Sequence, residues 1–194
     1  MEERVTHSPR SVTSPYQIPA RDLVRKPGTQ RELSTTVSVP AVLGTEVIAI
    51  PEGATATLNV RLDVVTDGIW ASGNFQATAV GECSRCLDEV RYDVDTDFEG
   101  LYLYPGAEVE EDGDSDDLYE FDGENIDLEP AIVDAVVTQL PFRPLCEPDC
   151  PGLCDQCGAQ LADDPDHAHE VLDPRWSALN VVKDRIPLSD EKES

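Results

Sequence analysis

Apolar and polar residues alternate with a period of two through much of the first half of the chain. Leu58, Val60, Leu62 and Val64 are interleaved with Thr57, Asn59, Arg61 and Asp63, the pattern of a strand with one buried face. Asp67-Gly68 supplies a turn. Phe75, Ala77 and Ala79 continue the alternation on a returning strand, and Val90, Tyr92, Val94, Thr96 and Phe98 repeat it after an interruption at 81–88. These runs predict an antiparallel sheet or partial barrel.

The period changes near residue 127. Leu128, Ile132, Val133, Val136, Val137 and Leu140 fall on one helical stripe, with Asp127 placed as an N-cap and Pro130 tolerated in the first turn. Pro141 and Pro144 end that helix. A second, shorter helix is expected from Asp173-Pro174, using Trp176, Leu179 and Val182 to cover an edge of the core. The expected fold class is therefore α+β: an antiparallel sheet or partial barrel with two helices and zinc-knuckle segments. One domain is expected over 16–188, between a flexible N-terminal arm at 1–15 and a polar tail at 189–194. Within it lie an acidic loop at 105–125 and a Cys-rich segment at 146–170.

Charge adds a constraint on partners. Fourteen Lys and Arg stand against 40 Asp and Glu in 194 residues, a formal net charge of −26, which repels phosphate backbones and disfavours binding nucleic acid through the whole surface. The basic residues are uneven: Arg4, Arg10, Arg21, Arg25, Lys26 and Arg31 all lie in the first 31 residues. That arm reads as a solvated tail on an acidic body, or alternatively as a phosphate-contacting segment. Between Glu108 and Glu129 twelve of 22 residues are acidic, interleaved with Leu118, Tyr119 and Phe121. Such a block reads first as a solvated loop, with a docking strip for a basic partner as the alternative. No apolar run approaches the roughly 18 residues that span a bilayer, and Met1-Glu-Glu-Arg lacks the layout of a secretory signal. A cytoplasmic location without membrane association is expected.

The chemistry lies in the cysteines. All six fall in two clusters, Cys83-Ser-Arg-Cys86 and Cys146, Cys150, Cys154 and Cys157. In a reducing compartment such clusters are rarely disulfides, and a Cys-x-x-Cys turn presents two thiolates at the width of one metal ion. Zinc is the leading reading. Cys154-Asp-Gln-Cys157-Gly158 is the sharper knuckle, because Gly158 permits positive φ after the second cysteine. Two accountings stand. One uses Cys83, Cys86, Cys146 and Cys150 for one zinc and Cys154, Cys157, His167 and His169 for another; the other pairs the two Cys-x-x-Cys knuckles around a single ion. A redox role needs basic neighbours that lower a thiol pKa, and only Arg85 is near. A catalytic zinc needs an open position and a general base, and no such pattern is placed; nor is a phosphate-binding glycine loop or a nucleophile elbow. No enzyme activity and no small-molecule substrate are expected.

Four stretches together resemble the YceD family, the large ribosomal RNA subunit accumulation proteins of bacteria and plastids, and especially its actinobacterial branch. They are Asp22-Leu-Val-Arg-Lys-Pro-Gly28 with Arg31-Glu32, Cys83-Ser-Arg-Cys86, Ile126-Asp-Leu-Glu-Pro through Leu140-Pro141 to Cys146, and Cys150-Pro-Gly-Leu-Cys-Asp-Gln-Cys-Gly158. Asp173-Pro-Arg-Trp matches too. The resemblance runs from about Tyr16 through nearly the whole chain, and the order of its motifs is more specific than any one of them. It implies a part in accumulation of large-subunit ribosomal RNA, hence in ribosome assembly, with a gene commonly beside that of a small zinc-ribbon ribosomal protein. Many relatives carry Cys-x-Cys where this chain has His167-Ala-His169, which favours two sites. Other relatives have lost several cysteines, which implies a structural metal. The expected role is a non-catalytic, zinc-stapled biogenesis factor whose partner is a large-subunit precursor, through ribosomal protein or ribosomal RNA. The rival is an acidic module chaperoning a basic client.

Overall fold

The structure is a computed structural model that describes residues 14–24, 26–107 and 118–169. It divides into two compact units, Met1–Cys150 and Pro151–Ser194. In the first, the strands are β1 (Gln17–Pro19), β2 (Gln30–Ser38), β3 (Leu43–Gly44), β4 (Ile48–Ile50), β5 (Thr55–Val64), β6 (Gly68–Glu82), β7 (Glu89–Leu103), β8 (Leu118–Glu120) and β9 (Asn125–Asp127), followed by helix α1 (Glu129–Gln139).

The three strands read from alternation form the centre. β5 pairs antiparallel with β6, Leu58 opposite Phe75, and β6 pairs with β7 along all 15 residues from Gly68–Leu103 to Glu82–Glu89. β2 extends the sheet beyond β5, β4 and β3 extend it beyond the far end of β6, and β8 adds a short parallel pairing to β7. β1 and β9 make a separate two-stranded pair. Leu58, Leu62, Ile69, Ala71, Phe75 and Ala79 are essentially inaccessible. They share the face on which Tyr16 meets Phe75 edge-on at 6.2 Å, and Tyr102 on the same face donates its hydroxyl to the Asp127 carbonyl at 2.9 Å.

The α+β expectation is corrected. The described residues are mostly β, with one helix rather than two. The single helical stripe is real: Ile132 and Val136 are buried with Leu128 and Leu140 at its ends. It amounts to 11 residues beside strands whose alternation runs through 15-residue segments, so sheet packing dominates the core. The second helix was expected from Asp173, outside the described residues. Leu128, rather than Asp127, occupies the N-cap position, while the Asp127 carboxylate accepts from the Glu129 N–H at 3.0 Å.

The β5–β6 turn also differs in cause. The Val65 N–H meets the Gly68 carbonyl at 3.0 Å, so Thr66-Asp67 are the central residues. Gly68 is needed for space: a Cβ there would lie 2.3 Å from the Tyr102 carbonyl oxygen.

The acidic tract re-enters the fold at its C-terminal end. Tyr119 stacks on Tyr102 at 5.1 Å, and Phe121 is 3% exposed, edge-on to Tyr104 at 6.0 Å. The aromatic anchors of a docking strip are therefore consumed internally, while its most acidic run, 108–117, lies outside the described residues.

Candidate metal centres

Each site starts from a tight turn. Residues 83–88 connect β6 to β7, and there the Leu87 N–H meets the Cys83 carbonyl at 2.9 Å while the Cys83 N–H meets the Asp88 carbonyl at 2.8 Å. The same two bonds recur in the second unit, Gly158 to Cys154 at 2.9 Å and Cys154 to Ala159 at 2.8 Å. Both turns need a left-handed residue just after the second cysteine. Gly158 supplies it at φ 73°, and Leu87 supplies it at φ 65°, the one non-glycine residue with positive φ among those described. A Leu in that region carries strain of about 1–2 kcal/mol, which Asn carries less heavily. Since the Leu87 side chain is 59% exposed, Leu87→Asn is expected to stabilise the protein by about 0.5–1 kcal/mol. A lowered urea midpoint would show that the leucine makes a contact outweighing the strain.

The second half of the first site comes from the chain after α1. Pro141 and Pro144 prevent the helix from continuing, and the segment turns back so that the Pro144 carbonyl receives the Ser84 N–H at 2.8 Å. Arg85, considered above only as a thiol activator, donates from Nη1 to the Cys150 carbonyl at 2.7 Å and so ties the two halves together. Cys83, Cys86, Cys146 and Cys150 converge with all four sulfurs within 4.8 Å of one another. Cys83 and Cys150 are 3.8 Å apart, and Cys86 and Cys146 are 3.5 Å apart.

In the second unit, Leu153 bridges Gln160 to close the knuckle, and the His167 N–H bonds the Asp164 carbonyl at 3.1 Å, turning 164–169 back toward it. Cys154, Cys157, His167 and His169 then form the second group. The histidine Nε2 atoms are 2.9 Å apart, and each lies 3.2 Å from the Cys157 sulfur. Asp164 faces His167 Nδ1 at 3.8 Å, the side on which a carboxylate steadies a metal-ligating imidazole.

These geometries suit a tetrahedral ion. Bonds of about 2.3 Å to sulfur and 2.0–2.1 Å to nitrogen set edges of about 3.8 Å between two sulfurs, 3.6 Å between sulfur and nitrogen and 3.3 Å between two nitrogens. One thiol pair, at 3.8 Å, matches the first value, while the other at 3.5 Å, the mixed contacts and the nitrogen pair fall a few tenths of an ångström short of theirs, and a disulfide would bring sulfurs to about 2.05 Å. All six cysteines are free. Electrostatics agree. The Cys83 thiol is pulled down to about 6, chiefly by the Cys86 N–H, helped by those of Arg85 and Cys146 against the effect of burial. At Cys86 the Asp88 N–H pulls down, but burial and the sulfurs of Cys83, Cys146 and Cys150 outweigh it and push the thiol up. Cys146 is likewise raised, first by Cys150. Four thiols this close cannot all ionise alone, and a divalent cation removes the conflict. Cys154 is lowered to about 6 by the N–H groups of Gln156 and Cys157, with Cys157 and His167 adding to it.

The eight residues singled out in the sequence are thus brought together in two groups of four, Cys146 and Cys150 joining the first knuckle and the histidines the second. Leu87 and Arg85 were not singled out for these roles. A Cys-x-x-Cys followed by a non-glycine residue carries the first signal only faintly, and the second depends on a contact 65 residues away.

The described residues define a mostly β protein with two groups of four side chains that could each hold a metal ion, each opened by the same kind of knuckle. The chain belongs to the YceD family: the family described as "Large ribosomal RNA subunit accumulation protein YceD" matches residues 71–183, a span that contains all eight donors. It is 45% identical over 170 residues to an uncharacterized protein of Mycobacterium tuberculosis, covering 88% of this chain and 82% of that one. It is 35% identical over 183 residues to an uncharacterized protein of Mycobacterium leprae, covering 94% and 84% respectively. No solved structure matches the chain. Among the described residues no helix is long and apolar enough to cross a membrane.

Proposed function

We propose that this chain is a non-catalytic factor that supports accumulation of large-subunit ribosomal RNA, and that it carries one structural zinc at each centre. The family match across residues 71–183 carries the first part. The donor sets support the second. Four thiolates, or two thiolates and two imidazoles, complete a tetrahedron, whereas a catalytic zinc keeps a position open for water or substrate. The ions would tie a hairpin tip to the segment after α1 in one unit and close a short loop in the other. Neither arrangement places a general base beside a metal-bound water.

The partner in this reading is a cytoplasmic large-subunit precursor, met through a ribosomal protein or through ribosomal RNA. Two basic residues of the N-terminal region have internal partners: Arg21 pairs with Glu124 and Arg31 with Asp22. That leaves less of this region for phosphate, and favours contact with protein. The rival, an acidic module that holds a basic client, draws support from the net charge of −26.

Sedimenting a lysate through a gradient, with and without high salt, tests the reading. The protein is expected with large-subunit precursors at low salt and is expected to be released as salt screens the contact. A strain lacking it is expected to show less large-subunit than small-subunit ribosomal RNA. Protein confined to the top of the gradient at every salt, with an unchanged RNA ratio, would overturn the proposal. Recovery with a single basic protein and no precursor RNA would instead establish the chaperone.

A further inference from the structure

The sheet of the larger unit has two unlike faces. One holds Leu58, Phe75 and Phe98 and is buried. Nothing among the described residues lies over the other, where Asn74, Gln76 and Thr78 of β6 stand in register with Asp97, Asp95 and Asp93 of β7. The amides hold the carboxylates in place. Asn74 donates to Asp95 at 2.7 Å and to Asp97 at 2.9 Å, Gln76 to Asp95 at 3.2 Å, and Thr78 to Asp93 at 3.3 Å. These donors are neutral, so the ladder keeps its charge, and among the described residues no basic side chain pairs with it. The nearby cations are committed elsewhere: Arg61 to Asp63 at 2.8 Å and Glu32 at 3.9 Å, and Arg91 to Glu89 at 3.0 Å.

Shape points the same way. At Asp97 and Glu99 the ladder opens into a groove of about 900 Å³ that crosses β2, β5, β6 and β7. Gly73 lines it at the centre, between Ser72 and Asn74 of β6. At the far end is Trp70, half-buried between the fully buried Ile69 and Ala71 and therefore directed to this face, opposite Leu101.

We propose that this face docks an extended cationic segment of a partner protein, with Lys or Arg at alternate positions. Successive carboxylates along β7 repeat every two residues, about 6.8 Å, and alternate side chains of an extended peptide repeat at the same distance. Each carboxylate accepts a guanidinium or ammonium, the negative field speeds encounter, and Trp70 offers a ring face to a cation at the end of the row. RNA is disfavoured here, because its phosphates would meet the same carboxylates. The inference rests on the reading of the protein as one that contacts a basic ribosomal protein, and names the surface used.

The test uses the full-length, zinc-loaded protein and a labelled synthetic peptide of alternating Lys and Thr. Asp93→Asn with Asp95→Asn and Asp97→Asn is compared with Glu46→Gln, Glu52→Gln and Asp67→Asn, exposed acids elsewhere that change net charge equally. The ladder variant is expected to bind about tenfold more weakly, the sum for three exposed ion pairs, and the control variant to bind as the parent does. Equal losses in both would reduce the effect to net charge and overturn the proposal. Tighter binding of a short RNA than of the peptide would do the same. Amide shift changes in the parent, expected on β6 and β7, give a readout that no variant's folding can spoil; changes scattered over other surfaces would refute it. Peptide binding is measured without ribosomes, so absence from precursors in a gradient would remove the proposed function and leave the surface intact.

Discussion

Cys150→Ser is expected to release one zinc per chain, taking the content from near two to near one, and to lower the melting temperature by roughly 10 °C. A structural zinc binds only the folded chain, so its binding free energy is folding free energy. Losing several kcal/mol shifts the midpoint by about 2–4 °C for each kcal/mol in a chain of this size. Cys150 is buried and 3.8 Å from Cys83, and its carbonyl receives the Arg85 guanidinium. The site therefore links the β6–β7 tip to the segment after α1. Elemental analysis and a thermal melt under reducing conditions check this. Two zinc ions retained by the variant would show that Cys150 is not a ligand, and a zinc-free parent would remove the metal reading altogether. Cys157→Ser, in the other unit, is expected to lose the other ion.

The second large effect is expected at Phe75→Ala, about 3–5 kcal/mol of stability, read as a lower urea midpoint with unchanged slope. Phe75 is inaccessible, lies opposite Leu58 and Thr96, and contacts the Tyr16 ring. Truncation leaves a cavity that paired strands cannot close. Gln76→Ala, one residue along and on the polar face, is expected to change stability by no more than about 0.5 kcal/mol. Similar effects at the two positions would contradict the assignment of faces.

The faces of β5, β6 and β7 were legible in the sequence because side-chain direction in a strand reverses at every residue. Leu58 to Val64 and Phe75 to Ala79 therefore record burial directly. The β5–β6 turn was legible in position but not in cause. Asp67-Gly68 suggested a conformational glycine, whereas Gly68 makes room for the Tyr102 carbonyl of β7. The helix at 129–139 was readable from its stripe. The acidic tract misled in one respect. Tyr119 and Phe121 sit among carboxylates in the sequence but pack on Tyr102 and Tyr104, and no local pattern distinguishes an aromatic anchoring a loop from one offered to a partner.

The metal centres divide along the same line. By itself the sequence determined the candidate donors and the knuckles, since a Cys-x-x-Cys turn and the left-handed residue after it are relations over a few residues, set by backbone geometry. Only tertiary structure decided the grouping. Cys86 meets Cys146 across 60 residues, and spacing alone was equally compatible with one ion held by the two Cys-x-x-Cys pairs. The balance of fold class was likewise a tertiary matter, because the share of core filled by sheet or helix depends on which apolar faces find each other. Local periodicity states that a face is apolar; the long-range packing that closes loops of this length determines what covers it.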